Sequence, residues 1–155
     1  MIRILVPVDG SELALDAVHH ALALAREGLS ATLVLANVQE PASFYELATK
    51  DSDIIAAAAV EAGQDLMASA VALVRAAGMP CETEVVLGEV AATLVDLAED
   101  HGCGLIVIGA RGQGAISSAL LGSVSQAVVR LSPVPVTIVK HPEPEEGEVE
   151  EEGED

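Results

Sequence analysis

The sequence predicts an α/β fold, a five-stranded parallel open sheet flanked by helices. Three observations predict it. Five short apolar runs rich in β-branched residues alternate with four longer segments whose apolar residues recur at helical spacing. Most of the short runs carry almost no polar position, as strands covered on both faces do. Gly or Pro punctuates several of the changes from one pattern to the other. Strands that alternate with helices pair in parallel through right-handed crossovers.

Residues 2–8 (IRILVPV) form the first strand, nearly all apolar. Asp9-Gly10-Ser11 follows, with Ser11 as N-cap of a helix over 12–28. In that helix Ala14, Ala17, Val18, Ala21, Leu24 and Ala25 repeat at helical spacing, and Gly28 ends it. Residues 31–38 (ATLVLANV) are the second strand, and 39–50 a loop containing Pro41. A long helix over 53–77 carries Ile55, Ala59, Ala62, Leu66, Ala70, Leu73 and Ala77 on one face, until Gly78 and Pro80 stop it. Residues 82–87 (ETEVVL) alternate polar and apolar, as an edge strand with one wet face would. A helix over 89–101 bears Val90, Leu94, Leu97 and Ala98. The fourth strand, 105–108 (LIVI), leads through a Gly/Ser-rich stretch to a helix over 123–131. Pro133 and Pro135 break that helix, and 136–139 (VTIV) is the last strand. In open parallel sheets ligands bind beyond the C-terminal strand ends, where strand order reverses. The informative loops are therefore those at Asp9 and Gly109.

Composition narrows the function. The chain has 155 residues, enough for one domain with a real core. Aromatics are 1%, which removes the stacking platforms of single-strand nucleic-acid binders. Only 7 basic side chains face 25 acidic ones, and a net charge of -18 repels nucleic-acid phosphates and anionic lipids alike. We expect no nucleic-acid partner. By this reading no apolar stretch runs unbroken over the ~18–20 residues of a membrane span, so no membrane insertion is expected. The opening residues do not read as a signal peptide. Two cysteines, Cys81 and Cys103, give no disulfide framework, and the expected location is cytoplasmic. Residues 142–155 (PEPEEGEVEEEGED) hold nine acids and no base. We expect a folded domain over 1–140 and an acidic, disordered tail over 141–155, a solvated terminus by composition. The acidic, Lys-poor body hints at a salt-adapted host.

Residues 109–125 read GARGQGAISSALLGSVS. Gly109 leaves a strand, Gly112 and Gly114 bare the backbone, and Gly122-Ser123 opens a helix. Ser123 and Ser125 put hydroxyls in its first turn, where unpaired N–H groups and the positive dipole end favour an anion. A strand, a Gly-rich loop and a helix start together describe a phosphate cradle. It is not a Walker A loop, because Ala115 and Ile116 stand where Lys and Ser/Thr belong. It is not a dinucleotide fingerprint, because it lies late in the chain and Ser117 replaces the third Gly.

Gly109, two residues, Gly112, nine residues, then Gly122-Ser123 spell G-x2-G-x9-G-[ST]. This resembles the nucleotide-binding signature of the universal stress protein family, in its ATP-binding branch. The resemblance spans residues 1–140 and includes VPVDGS (6–11), Val38, LIVIGARG (105–112), LLGSVS (120–125) and PVPVTIVK (133–140). It implies strand order 3-2-1-4-5, a Rossmann-like, adenine nucleotide alpha hydrolase-like sheet, and a homodimer. It also implies ATP, or ADP or AMP, across strands 1 and 4, with Mg²⁺ held only through the phosphates. Carried over residue by residue, Pro7, Val8 and Asp9 line the adenosine side and Val38 meets adenine. Gly109, Arg111, Gly112, Gly122, Ser123, Val124 and Ser125 hold ribose and phosphates. Family members commonly act as stress-responsive regulators, some by partnering transporters or kinases.

Each of these residues has a plainer reading. The glycines also serve turns and packing, Asp9 also suits a helix start, and Ser11 reads first as a cap. Arg111 is the one base in the loop, and reaches either phosphate or solvent. Ser117 and Ser118 read as loop hydroxyls. Asp16 and His20 share helical spacing, and His101 flanks Cys103, but neither pair supplies a zinc ligand set. No P-loop Lys, Walker B carboxylate or general base accompanies the loop, so binding with little or no hydrolysis is expected. The SGGxDS of an N-type ATP pyrophosphatase, the paired acids of a receiver domain and the aromatics of a flavodoxin are all missing. The expected function is an ATP-binding stress-response regulator or sensor. The alternatives are a ligand-free structural or chaperone-like dimer, or a weak ATPase. The apolar last strand invites antiparallel pairing of Val136, Thr137, Ile138 and Val139 with a twofold mate.

Overall fold

A computed structural model of the chain describes residues 1–40, 52–110 and 122–141. Of the expected loop over 39–50, Gln39 instead ends the second strand and 41–50 lie outside the described residues, as do Arg111, Gly112, Gly114, Ser117 and Ser118 and the acidic stretch 142–155. The strands are β1 (Ile2–Pro7), β2 (Ala31–Gln39), β3 (Cys81–Leu87), β4 (Leu105–Gly109) and β5 (Val136–Val139). The helices are α1 (Glu12–Arg26), α2 (Ser52–Ala76), α3 (Val90–Asp100) and α4 (Ser123–Leu131). The strands form one parallel sheet in the order β3-β2-β1-β4-β5. Leu5 lies level with Val34 of β2 and Ile106 of β4, and Ile106 with Val136 of β5.

The pleat divides the core in two. Ile4, Val6 and Val8 point to the face covered by α1 and α2, where Ala17, Val18, Ala21, Met67, Ala70 and Val74 meet them. Leu5, Val34, Ile106 and Ile108 point to the other face, beneath Leu94, Val95 and Ala98 of α3 and Val128 of α4. Both faces are therefore apolar, and the central strands read as continuous apolar runs. Each fully buried Leu or Ile stabilises the fold by ~1.5–3 kcal/mol.

Several elements differ in detail from the sequence reading. On α2 the buried positions are Ala59, Gly63, Met67, Ala70 and Val74. The expected face had Leu66, which is 42% exposed, and Ala77, which is also exposed. An Ala-rich helix offers apolar residues all round, so periodicity places its seam one position off. By length and composition α2 also reaches what a membrane span needs, against the expectation that no segment does. Its buried side chains are nonetheless those that cover the sheet. Glu89 is not the first residue of α3 but its cap, accepting from the Ala92 N–H at 2.8 Å. The strand β3 is an edge, as its alternation indicated. His141 accompanies the folded body, with Nδ1 2.6 Å from Asp16 Oδ2 on α1. Asp16 therefore meets His141 rather than its helical neighbour His20.

Candidate functional site

The chain runs from β1 to β3 toward one edge and then crosses back, so β4 joins the opposite side of β1. At that reversal the crossovers leave β1 and β4 in opposite directions, which opens a crevice beyond their C-terminal ends. A cavity of about 420 Å³ lies there, lined from β1, β2, β4, α1, α3 and α4. That volume suits a small organic ligand.

Nine of the eleven residues singled out in the sequence line it: Pro7, Val8, Asp9, Val38, Gly109, Gly122, Ser123, Val124 and Ser125. The other two, Arg111 and Gly112, lie outside the described residues. Ser11, read above first as a cap, both caps α1 and lines the crevice. Leu13, Ala14, Ala36, Val90, Leu94, Ile108 and Ala110 also line it, and nothing in the sequence marked them for a ligand. They are apolar residues on helical or strand faces, indistinguishable from core until the elements pack.

The turn after β1 is built by short polar contacts. Asp9 Oδ1 accepts from the Ser11 N–H at 2.9 Å and from the Ser11 hydroxyl at 2.6 Å. The Ser11 oxygen then accepts from the Ala14 N–H at 3.2 Å, satisfying one orphan donor of α1. Gly10 takes φ +90°, a conformation L side chains rarely adopt. A Cβ there would also press on Leu66 Cδ2 at 2.7 Å, so the exposed Leu66 of α2 lies over the turn.

Two buried polar side chains finish the strand ends. Asn37, only 2% exposed, donates from Nδ2 to the Val8 carbonyl at 2.9 Å. Its Oδ1 accepts from Gln39 Nε2 at 2.9 Å, and that nitrogen also donates to the Ala59 carbonyl of α2 at 3.1 Å. Ser125 donates from Oγ to the Gly109 carbonyl at 3.2 Å. Gly109 itself is required by packing, because a Cβ would collide with the Leu13 carbonyl oxygen at the start of α1. Gly122 is the N-cap of α4 and offers that helix no side-chain cap, nor does its first turn hold an acid. The positive end of α4 thus faces the crevice through Ser123, Val124 and Ser125.

Asp9 is the one ionisable side chain among the described lining residues. The hydrogen bond to Asp16 raises the His141 pKa above its usual range. At the far end of the sheet, Arg3 Nη2 donates to Glu82 Oε1 at 2.7 Å and holds that carboxyl below its usual range. His101 sits between Glu82, at 3.4 Å, and Glu84, at 3.1 Å. Burial pushes the Cys81 and Cys103 thiols up, away from the thiolate. Among the described residues no group of three or more His, Cys, Asp or Glu side chains is placed to hold a metal.

The family model described as "Universal stress protein family" matches residues 1–140. A universal stress protein of Methanocaldococcus jannaschii is 31% identical over 144 residues, covering 92% of this chain and 84% of its own. One from Thermus aquaticus is 35% identical over 144 residues, covering 88% and 97%. Among solved structures, the universal stress protein UspA of Lactobacillus plantarum superposes with a TM-score of 0.70 at 28% identity, over 89% of this chain and 97% of its own. A universal stress protein solved in complex with cAMP superposes with a TM-score of 0.63 at 30% identity, over 90% and 96%.

Proposed function

This chain belongs to the universal stress protein family, and on that footing we propose that it binds an adenine nucleotide in the crevice between β1 and β4. In this reading ATP, or ADP or AMP, is the ligand of a stress-response regulator or sensor that hydrolyses it little or not at all. One observation carries the reading: nine residues that the family resemblance assigns to adenosine or phosphate gather around one cavity at the strand-order reversal. The cavity joins an apolar side, with Ala36, Val38 and Leu94, to the uncapped start of α4. A base fits the first and an anion the second. The relative solved with cAMP, itself an adenine nucleotide, supports the same ligand class.

The chain's own groups divide the work. Val38 and its apolar neighbours exclude water from a base. The first-turn amides of α4 meet phosphate oxygens, each charge-assisted bond contributing ~1.5–3 kcal/mol; among the described lining residues no side-chain cation joins them. Three or four of these, less ordering costs, correspond to micromolar affinity, ~8 kcal/mol. Mg²⁺ would arrive on the phosphates and neutralise them. Asp9, already tied to Ser11 through Oδ1, is placed to orient ribose hydroxyls rather than to act as a free base.

Two further readings accompany it. The chain pairs as a homodimer through β5, whose Val136, Thr137, Ile138 and Val139 are only half-buried. Among the described residues β5 bonds to β4 alone, so its outer edge is open to a second strand. Two free cysteines agree with a cytoplasmic setting. The deciding experiment is mass spectrometry of ligand released from freshly purified protein, followed by calorimetric titration with Mg·ATP. We expect an adenine nucleotide and micromolar binding. No released nucleotide and no binding heat would remove the reading and leave the structural dimer.

A further inference from the structure

Among the described residues three polar side chains are buried, Thr32, Asn37 and Ser125. Two of them do the same thing in mirrored places. Asn37 donates to the Val8 carbonyl, where β1 ends, and Ser125 donates to the Gly109 carbonyl, where β4 ends. These are the two strand ends that border the strand-order reversal, and both carbonyls belong to residues lining the crevice. We propose that Asn37 and Ser125 are a matched pair of positioning residues, which clamp the rim of the nucleotide crevice without contacting the nucleotide through their side chains. This rests on the adenine-nucleotide reading above.

The physical case has three parts. A strand's last carbonyl, once the chain turns away, has no ladder partner and stands at the mouth of the crevice. Left unpaired it costs ~1–3 kcal/mol of desolvation and repels a phosphate. A buried amide or hydroxyl removes both penalties and fixes the turn. Second, Asn37 is not isolated. Gln39 bridges its Oδ1 to the Ala59 carbonyl, so α2, β2 and the β1 turn share one hydrogen-bonded chain. Gly63 lets α2 approach this closely, because a Cβ there would stand 2.8 Å from Asn37 Oδ1. Third, the chain is complete: among the described residues no buried side-chain nitrogen or oxygen lacks a partner. Complete buried networks rigidify what they hold. Ser125, assigned from its motif to the ligand, in this account serves the ligand through Gly109.

The test compares Asn37→Ala and Ser125→Ala with Val34→Ala, a core change on β2 that touches neither clamp. We expect Asn37→Ala to weaken Mg·ATP binding at least tenfold by calorimetry, and Ser125→Ala at least threefold. Val34→Ala should lower the melting temperature yet keep Kd within twofold. In Asn37→Asp, lowering the pH should restore affinity relative to wild type, because a protonated carboxyl again donates to Val8. Wild-type affinity in both alanine variants, or equal weakening by Val34→Ala, would overturn the proposal. Should wild type bind no nucleotide at all, the nucleotide reading fails by itself, and amide exchange then judges the clamp. The Asp9 and Gly10 amides should exchange at least tenfold faster in Asn37→Ala than in Val34→Ala. Equal rates would overturn the clamp.

Discussion

Gly109 shows how one residue carries two demands. Its place in the glycine–serine spacing points to a phosphate, while its Cα lies against the Leu13 carbonyl where α1 begins. The second demand is enough to require glycine. We predict that Gly109→Ala destabilises the fold by ~1–3 kcal/mol, as overpacking against rigid backbone does, read from urea unfolding without ligand. Loss of nucleotide binding in such a variant would therefore not by itself identify a ligand contact. Ser11→Ala, which removes the α1 cap, should cost ~1 kcal/mol in the same measurement. His141 provides a pH-dependent pair with Asp16. Its folded pKa is raised, so the folded state binds the proton more tightly than the unfolded chain. The stabilisation is fully present below the unfolded value near 6.5 and disappears as pH rises through the folded value. The melting-temperature gap between wild type and His141→Ala should be widest in mildly acidic buffer and close toward alkaline pH. A gap that widened with pH would reverse the sign and refute the pairing.

At the scale of elements, α4 is the informative one. Its first turn holds no acid and no side-chain cap, so it is less stable than a helix start could be, as expected of a site kept for an external anion. Ser123→Asp should separate stability from binding. A carboxylate there complements the dipole and stabilises by ~0.3–1 kcal/mol, raising the melting temperature. The same charge repels phosphate, so Mg·ATP affinity should fall at least tenfold. If stability and affinity rise together, α4 is not the phosphate end. The helix borders were legible in sequence because caps and breakers act over a few residues: α4 begins and ends where Ser123 and Pro133 place it, and Ser11 does cap α1. The seam of α2 was not legible. Nine alanines and a scatter of larger apolar residues give several nearly equivalent faces, and contact with the sheet selected Met67 and Val74 over Leu66 and Ala77.

At the scale of the whole molecule, charge and assembly dominate. In the proposed function a chain of net charge -18 holds another anion. The Debye length is ~8 Å at physiological salt, so remote acids are screened while the α4 amides at contact are not. Nucleotide affinity should hold or rise as salt increases from low values, and a steep monotonic loss would contradict this electrostatic account. Light scattering should give twice 15.8 kDa if β5 pairs with its mate. A single-chain mass would set that edge aside. Element order and parallel pairing were legible in sequence alone, because alternating apolar runs and helix stops are written in neighbouring residues, whereas Pro7, Val8 and Val38 of the crevice were named only through resemblance to the family. Asn37 shows the limit. An amide inside ATLVLANV was visible as a polar residue in a buried strand, which must find a partner. Only the packed sheet decided that the partner is the Val8 carbonyl, 29 positions away. The same packing made Ser125 a clamp on Gly109 and put Leu94 and Ile108 in a cavity wall. A local pattern specifies which groups a residue carries; the direction in which they point depends on elements distant in sequence, and those meet only in the folded chain.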